Sequence, residues 1–212
     1  MGLSQMENLR QQLREKFPQA HALRAEAVPT LPRGRPFETH SFPAGSISEV
    51  VAASPVAGLS LLVAGILSEP EEACRHPQLV LVDGSDGFDP ASFTARACSK
   101  ILWVRCQAAI EMMKAADLLV HDGNVPFVLL DSTGILRRDL AALPASAWWR
   151  LKQTVERHSS RLVVLAAAPF VPCAGLRLTL SADLSLRDFD VPRKEPLERL
   201  QPVPAEGLRR FT

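Results

Sequence analysis

Residues 46–62 read Ser46-Ile47-Ser48-Glu49-Val50-Val51-Ala52-Ala53-Ser54-Pro55-Val56-Ala57-Gly58-Leu59-Ser60-Leu61-Leu62. Ile47 to Ala52 is a β-branched run that predicts a buried strand, Ala53 to Gly58 is a loop, and Leu59 to Leu67 is apolar nearly all round, the pattern of a buried helix. The same alternation continues downstream. Leu79 to Asp83 is a second apolar strand, followed by the turn-rich Gly84-Ser85-Asp86-Gly87 and a short helix after Pro90. Ile101 to Val104 is a third. Gln107 to Val120 places Ala109, Met112, Met113, Ala116, Leu119 and Val120 on one helical face. Phe127 to Leu130 is a fourth strand, a helix runs through Trp148, Leu151 and Val155, and Leu162 to Ala167 is the fifth strand. Short, wholly apolar strands alternating with helices predict an α/β fold: a mainly parallel sheet covered by helices on both faces.

The flanks differ. Residues 1–24 carry Leu9, Leu13 and Phe17 at i, i+4 and i+8, an amphipathic helix ended by Pro18. Residues 25–44 read as an extended, Pro-rich linker, so the core domain is expected over 45–189. After Gly175 the period changes to alternation: Leu176, Leu178 and Leu180, then Leu184 and Leu186, predict an antiparallel hairpin. Residues 190–212, with Pro192, Pro196, Pro202 and Pro204, are expected to be a disordered tail.

Composition limits the function. Of 212 residues, 24 are Lys or Arg and 23 are Asp or Glu, a formal charge of +1, so no global field drives indiscriminate binding to nucleic acid or anionic membrane. The four cysteines, at 74, 98, 106 and 173, form no C-x-x-C pair and read as reduced thiols in a cytoplasmic protein. The charged head (Glu7, Arg10, Arg14, Glu15, Lys16) has no apolar h-region, so no secretory signal is expected. No apolar run approaches the ~20 residues of a membrane span.

A strand, a short loop and a helix opening on Gly-x-Ser is the setting of a phosphate-binding loop, where helix N-terminus and loop amides cradle phosphate oxygens. The required spacing is G-x-x-x-x-G-K-[S/T]. Here Gly58 and Ser60 fit, whereas Ala53 stands for the first glycine and Leu59 for the lysine. Losing the lysine removes a charge-assisted hydrogen bond of roughly 1.5–3 kcal/mol, about ten- to a hundredfold in affinity. Ala53 adds strain wherever the loop needs a positive φ, and Pro55 removes an amide donor. Triphosphate binding is expected to fail.

Over residues 45–189 the chain resembles the RecA-type recombinase core. Leu81-Val82-Asp83-Gly84-Ser85-Asp86-Gly87-Phe88-Asp89-Pro90 resembles the RecA stretch I-D-A-E-H-A-L-D-P, with Asp83, Asp89 and Pro90 in register and Ser85 where the family has its catalytic glutamate. Ala116 to Gly123 and Phe127-Val128-Leu129-Leu130-Asp131-Ser132 resemble the helix and Walker B strand, and the resemblance puts Asp131 where the family holds magnesium through a water. Phosphoryl transfer on this fold needs the lysine and a water-orienting carboxylate. With Leu59 and Ser85 in those places, the resemblance implies an ATPase-dead protein with no cofactor.

Among RecA-like families that have lost the nucleotide site, the head Leu9-Arg10, Leu13-Arg14, Phe17-Pro18-Gln19-Ala20-His21, the Leu31-Pro32 linker and Pro43-Ala44-Gly45-Ser46-Ile47-Ser48-Glu49-Val50-Val51 are most similar to ImuA. That resemblance implies an adaptor of SOS-induced translesion synthesis. It would contact an ImuB-like inactive Y-family polymerase and RecA, and act with a C-family error-prone polymerase. The SulA family shares the Gly45–Val51 stretch, so a cell-division inhibitor of FtsZ is the alternative, and a small ATPase with a non-standard loop is a second.

Other residues admit two readings. Leu9, Leu13 and Phe17 either dock on a partner or pack on their own domain. Residues 137–161 hold six cations (137, 138, 150, 152, 157, 161) against Asp139 and Glu156, beside Trp148 and Trp149. With Arg137, Arg138 and Arg150 this is a single-strand stacking platform or an ordinary solvated face. Trp148 fits the buried stripe, leaving Trp149 as a partner contact. Asp83, Asp86 and Asp89 read as turn and cap residues, since the twelfth position of an EF-hand loop would be Thr94. Neither they nor Cys74 and His76 make a metal site.

Overall fold

Strands form where the β-branched and leucine runs lie, and the computed structural model joins seven of them in one sheet: β1 (Ser46–Ala52), β2 (Leu79–Asp83), β3 (Ile101–Arg105), β4 (Phe127–Asp131), β5 (Arg161–Ala166), β6 (Leu176–Ser181) and β7 (Gln201–Pro204). The structure describes residues 41–52, 59–67, 79–181, 184–191 and 194–204. All lie in the second of the chain's two units, 31–212. The order across the sheet is β3-β2-β4-β5-β1-β6-β7, with β1 to β6 parallel and β7 antiparallel to β6. The described helices are α1 (Leu59–Leu67), α2 (Ala95–Cys98), α3 (Ala109–Asp122), α4 (Arg137–Ala141), α5 (Ala145–His158) and α6 (Lys194–Glu198).

Because side chains alternate across a strand, each face gathers its own core. On one face Val80, Val82, Val128, Leu130, Leu162 and Val164 meet the buried stripes of α3 and α5, among them Met112, Met113, Trp148 and Leu151. On the other, Leu79, Leu81, Phe127, Leu129, Val163 and Leu165 meet Leu61, Leu62 and Ile66 of α1, with Phe42, Leu197 and Leu200. Beyond the exposed Ser60, helix α1 is apolar because it is buried: Leu61 to Leu67 are each buried. α3 ends at Gly123, whose φ of +72° forms a left-handed cap.

Three expectations change. Residues 25–44 include Phe42, which is fully buried, packs edge-on to Phe127 at 5.9 Å and gives its carbonyl to Arg161 Nε at 2.8 Å. The core domain thus starts before residue 45, because one aromatic side chain outweighs the absence of periodicity around it. The closing antiparallel pair is present, but Leu184 and Leu186 do not form its second strand. Ser185 and Asp188 make a reciprocal capping box that turns residues 186–189 into a 3₁₀ helix. The second strand is instead Gln201–Pro204, within the segment 190–212 expected to be a disordered tail. Leu197 and Leu200 bury there, which offsets its proline content. Residues 205–212 lie outside the described residues. Among the described residues no helix is long and apolar enough to cross a membrane, and Cys98, Cys106 and Cys173 are free thiols.

Candidate functional site

In a parallel sheet, the loops that leave the C-terminal strand ends converge along one edge, and ligands of such folds bind there. β2 and β4 are adjacent, and their terminal residues Asp83 and Asp131 are register partners on the face that carries α1. The two aspartates have different environments.

Asp83 is fully buried. Its Oδ1 accepts from the amides of Ser85 and Gly87, both at 3.1 Å, and its Oδ2 accepts from the Phe88 amide at 3.0 Å and the Trp103 indole Nε1 at 3.2 Å. Short side-chain-to-backbone bonds of this kind fold a turn locally. Burial pushes the carboxyl's pKa up, but the three amides and the indole outweigh it, and the group lies below its ordinary value. Phe88 is thereby fixed edge-on to Trp103 at 5.3 Å and stacked on Phe93 at 5.2 Å. Asp86, at φ +55°, pairs with Arg105 at 2.6 Å. Asp89 caps the turn at Pro90 through the Ala91 amide at 3.0 Å. All three aspartates serve the loop's own geometry.

Asp131 is only partly covered, and its Oδ1 accepts from the Thr133 amide (3.0 Å) and hydroxyl (2.6 Å). Burial raises its pKa, the Thr133 bonds lower it, the nearby Asp83 charge raises it, and the net position is above ordinary. Ser132 is buried and donates its hydroxyl to the Leu165 carbonyl at 2.6 Å, tying β4 to β5. The two loops are wedged together. A Cβ on Gly134 would lie 2.3 Å from Ser85 Cβ, and one on Gly84 would lie 2.6 Å from Ile135 Cδ1. Ser85 therefore serves as a packing surface for Gly134.

The sequence-predicted residues divide accordingly. Ser85 and Asp131 are brought to the same edge. Ser60 is exposed in the first turn of α1, where Leu59 begins the helix. Ala53 and Gly58 lie outside the described residues, as do Leu9, Leu13 and Phe17. Trp148 is buried against Phe170, whereas Trp149 is 50% exposed with Lys152 Nζ 5.3 Å from its ring centre. Arg150 pairs with Asp117 at 3.2 Å and Arg138 lies 3.6 Å from Asp139. Of the three candidate DNA-contacting arginines, only Arg137 has no ion-pair partner among the described residues.

Sequence reasoning missed Glu49, which sits in the middle of β1 with no exposure. Its Oε1 accepts from the amides of Phe170 (2.7 Å) and Val171 (3.0 Å), and its Oε2 pairs with Arg177 on β6. Arg177 also donates to the Val171 carbonyl at 2.8 Å. This ion pair anchors the loop after β5 to the sheet. Its one visible signal was a glutamate inside a β-branched strand, where an unpaired charge is costly.

No protein-family model matches the chain, and no curated protein matches it in sequence. Among solved structures, the crystal structure of the RadB recombinase aligns with a TM-score of 0.50 at 15% identity, covering 68% of this chain and 78% of that one. The strand order, the covered parallel sheet and this likeness together define the class: the chain has the α/β fold of RecA-type recombinases.

Proposed function

We propose that the chain is a RecA-fold adaptor with no nucleotide hydrolysis of its own, acting in damage-induced translesion synthesis in the manner of ImuA. Its partners would be an ImuB-like inactive Y-family polymerase and RecA, in concert with a C-family error-prone polymerase. The observation that supports this reading best is the edge formed by β2 and β4. The position that would carry a water-orienting glutamate holds Ser85, which is spent on packing against Gly134. The neighbouring carboxylate Asp83 has both oxygens committed to its own loop. Leu59 in place of a phosphate-binding lysine agrees with this.

An adaptor works through its surfaces. Trp149 is half exposed on α5, and Leu118 of α3 is 73% exposed; such a pair suits a protein contact. A direct role for Arg137, Arg138 and Arg150 on DNA is disfavoured, since two of the three have acidic neighbours. The test is capture from damage-treated cells with tagged full-length protein. The reading predicts an ImuB-like polymerase and RecA in the eluate, reduced by Trp149→Ala. Recovery of FtsZ with neither of them would move the protein to the SulA class.

A further inference from the structure

The sequence holds three Asp-Gly dipeptides, at 83–84, 86–87 and 122–123, and no Asn-Gly. An aspartate followed by glycine can cyclise, because no Cβ on the second residue shields its amide nitrogen from the carboxyl carbon of the first. The step needs a carboxyl that has left its hydrogen-bond donors and an amide that has left its acceptor. The fold treats the three dipeptides differently.

At 83–84 both groups are held in the interior. Asp83 is buried with donors on both oxygens, and the Gly84 amide donates to the Asp131 carbonyl at 2.9 Å. At 86–87 the chain is exposed, but both groups sit in charge-assisted bonds: Asp86 Oδ2 accepts from Arg105 Nη2 at 2.6 Å, and the Gly87 amide donates to Asp83 Oδ1 at 3.1 Å. At 122–123 neither group does. Asp122 is the exposed last residue of α3 and makes no ion pair among the described residues; its Oδ2 accepts from the neutral Asn124 side-chain amide at 2.9 Å. The exposed Gly123 amide reaches back to the Val120 carbonyl at 3.3 Å, a long bond at a helix end, where local opening costs least.

We infer that Asp122-Gly123 is a site of spontaneous isoaspartate formation, and that the fold suppresses the same reaction at the other two dipeptides. The Gly123 nitrogen attacks Cγ of the protonated Asp122 carboxyl. The N–Cγ bond forms, and the carboxyl hydroxyl leaves with the amide proton as water. Water then adds back to the five-membered imide. Breaking the N–Cγ bond restores aspartate, whereas breaking the bond from nitrogen to the main-chain carbonyl carbon leaves the chain running through the side chain, with the carboxylate on Cα. One water leaves and one returns, so the product is an isomer of unchanged mass whose main chain is one methylene longer. That methylene enters at a tight place. Gly123 forms the left-handed cap of α3, and a Cβ on it would lie 2.6 Å from Nδ1 of His158, at the end of α5. Isomerisation should therefore loosen the cap where the ends of α3 and α5 meet.

The test ages the full chain at neutral pH and physiological temperature, in parallel folded and in urea. Trypsin places the dipeptides on separate peptides, 76–96 and 115–137, and electron-transfer fragmentation distinguishes isoaspartate from aspartate at each position. In urea the three dipeptides should convert at similar rates, because local sequence alone decides there. In the folded chain, isoaspartate at 122 should exceed that at 83 and at 86 by about tenfold or more, the factor that one charge-assisted hydrogen bond corresponds to. Asp122→Glu, whose longer side chain would have to close a slower six-membered ring, should remove the signal from 115–137. A folded chain in which 122 leads the other two no more than it does in urea overturns the inference. So does a folded chain with no isoaspartate at 122 once the urea sample has converted there, or a signal in 115–137 that survives Asp122→Glu.

Discussion

Replacing Asp83 with asparagine tests the mechanism that builds the β2–β4 edge. The carboxylate accepts four hydrogen bonds, two on each oxygen. An asparagine can keep two of them through its oxygen, but its NH₂ then faces two donors. The variant loses two charge-assisted bonds and leaves donors opposed in a buried site. At about 1–3 kcal/mol for each unsatisfied group, with partial rehydration of the loop, the loss should be about 2–4 kcal/mol. Urea denaturation followed by tryptophan fluorescence measures it, and Trp103 reports on the site itself. The pH dependence has a definite sign. Asp83's native pKa lies below its ordinary value, so its contribution is complete above the unfolded pKa of about 3.9 and is lost as pH falls through the native pKa. The gap between wild type and Asp83→Asn should therefore be constant near neutrality and narrow in acid. A variant within about 0.5 kcal/mol of wild type at neutral pH, or a gap that widens on acidification, would refute the reasoning.

Other consequences can be measured alongside. Gly134→Ala should cost about 1–3 kcal/mol by overpacking against Ser85, and adding Ser85→Gly should recover much of it in a double-mutant cycle. Arg177→Ala strips the partner from buried Glu49 and should cost about 3–5 kcal/mol in denaturant unfolding, with the Phe170 and Val171 amides losing exchange protection. Trp149→Ala should change the free energy of unfolding by no more than an ordinary surface substitution, about ±0.5 kcal/mol, while reducing partner capture.

The parallel sheet was legible because buried strands carry unbroken apolar runs: Leu79–Asp83, Phe127–Asp131 and Arg161–Ala166 each fall within a residue of the stretch that hydrophobicity marks. The exposure difference between Trp148 and Trp149 could be read from helical phase. What escaped is set by tertiary partners. The alternation at Leu184 and Leu186 looks like a strand, yet the local capping box at Ser185 and Asp188 decides the backbone there. The strand at Gln201–Pro204 exists only because β6 offers a free edge, which no local signal in a proline-rich stretch announces. Phe42 and the Glu49–Arg177 pair depend on contacts more than a hundred residues away in sequence. At the candidate site, Ser85 and Asp131 were visible as positions. The wedge of Gly134 on Ser85 was not, since it requires two loops to meet.

The proposed adaptor role requires that this RecA-type fold does not grip a nucleoside triphosphate. Isothermal calorimetry of the full-length chain with Mg-ATP tests it most directly. The account predicts no saturable heat up to millimolar nucleotide and no phosphate release above background. Micromolar binding that Asp131→Asn weakens, or turnover that the same substitution abolishes, would contradict it.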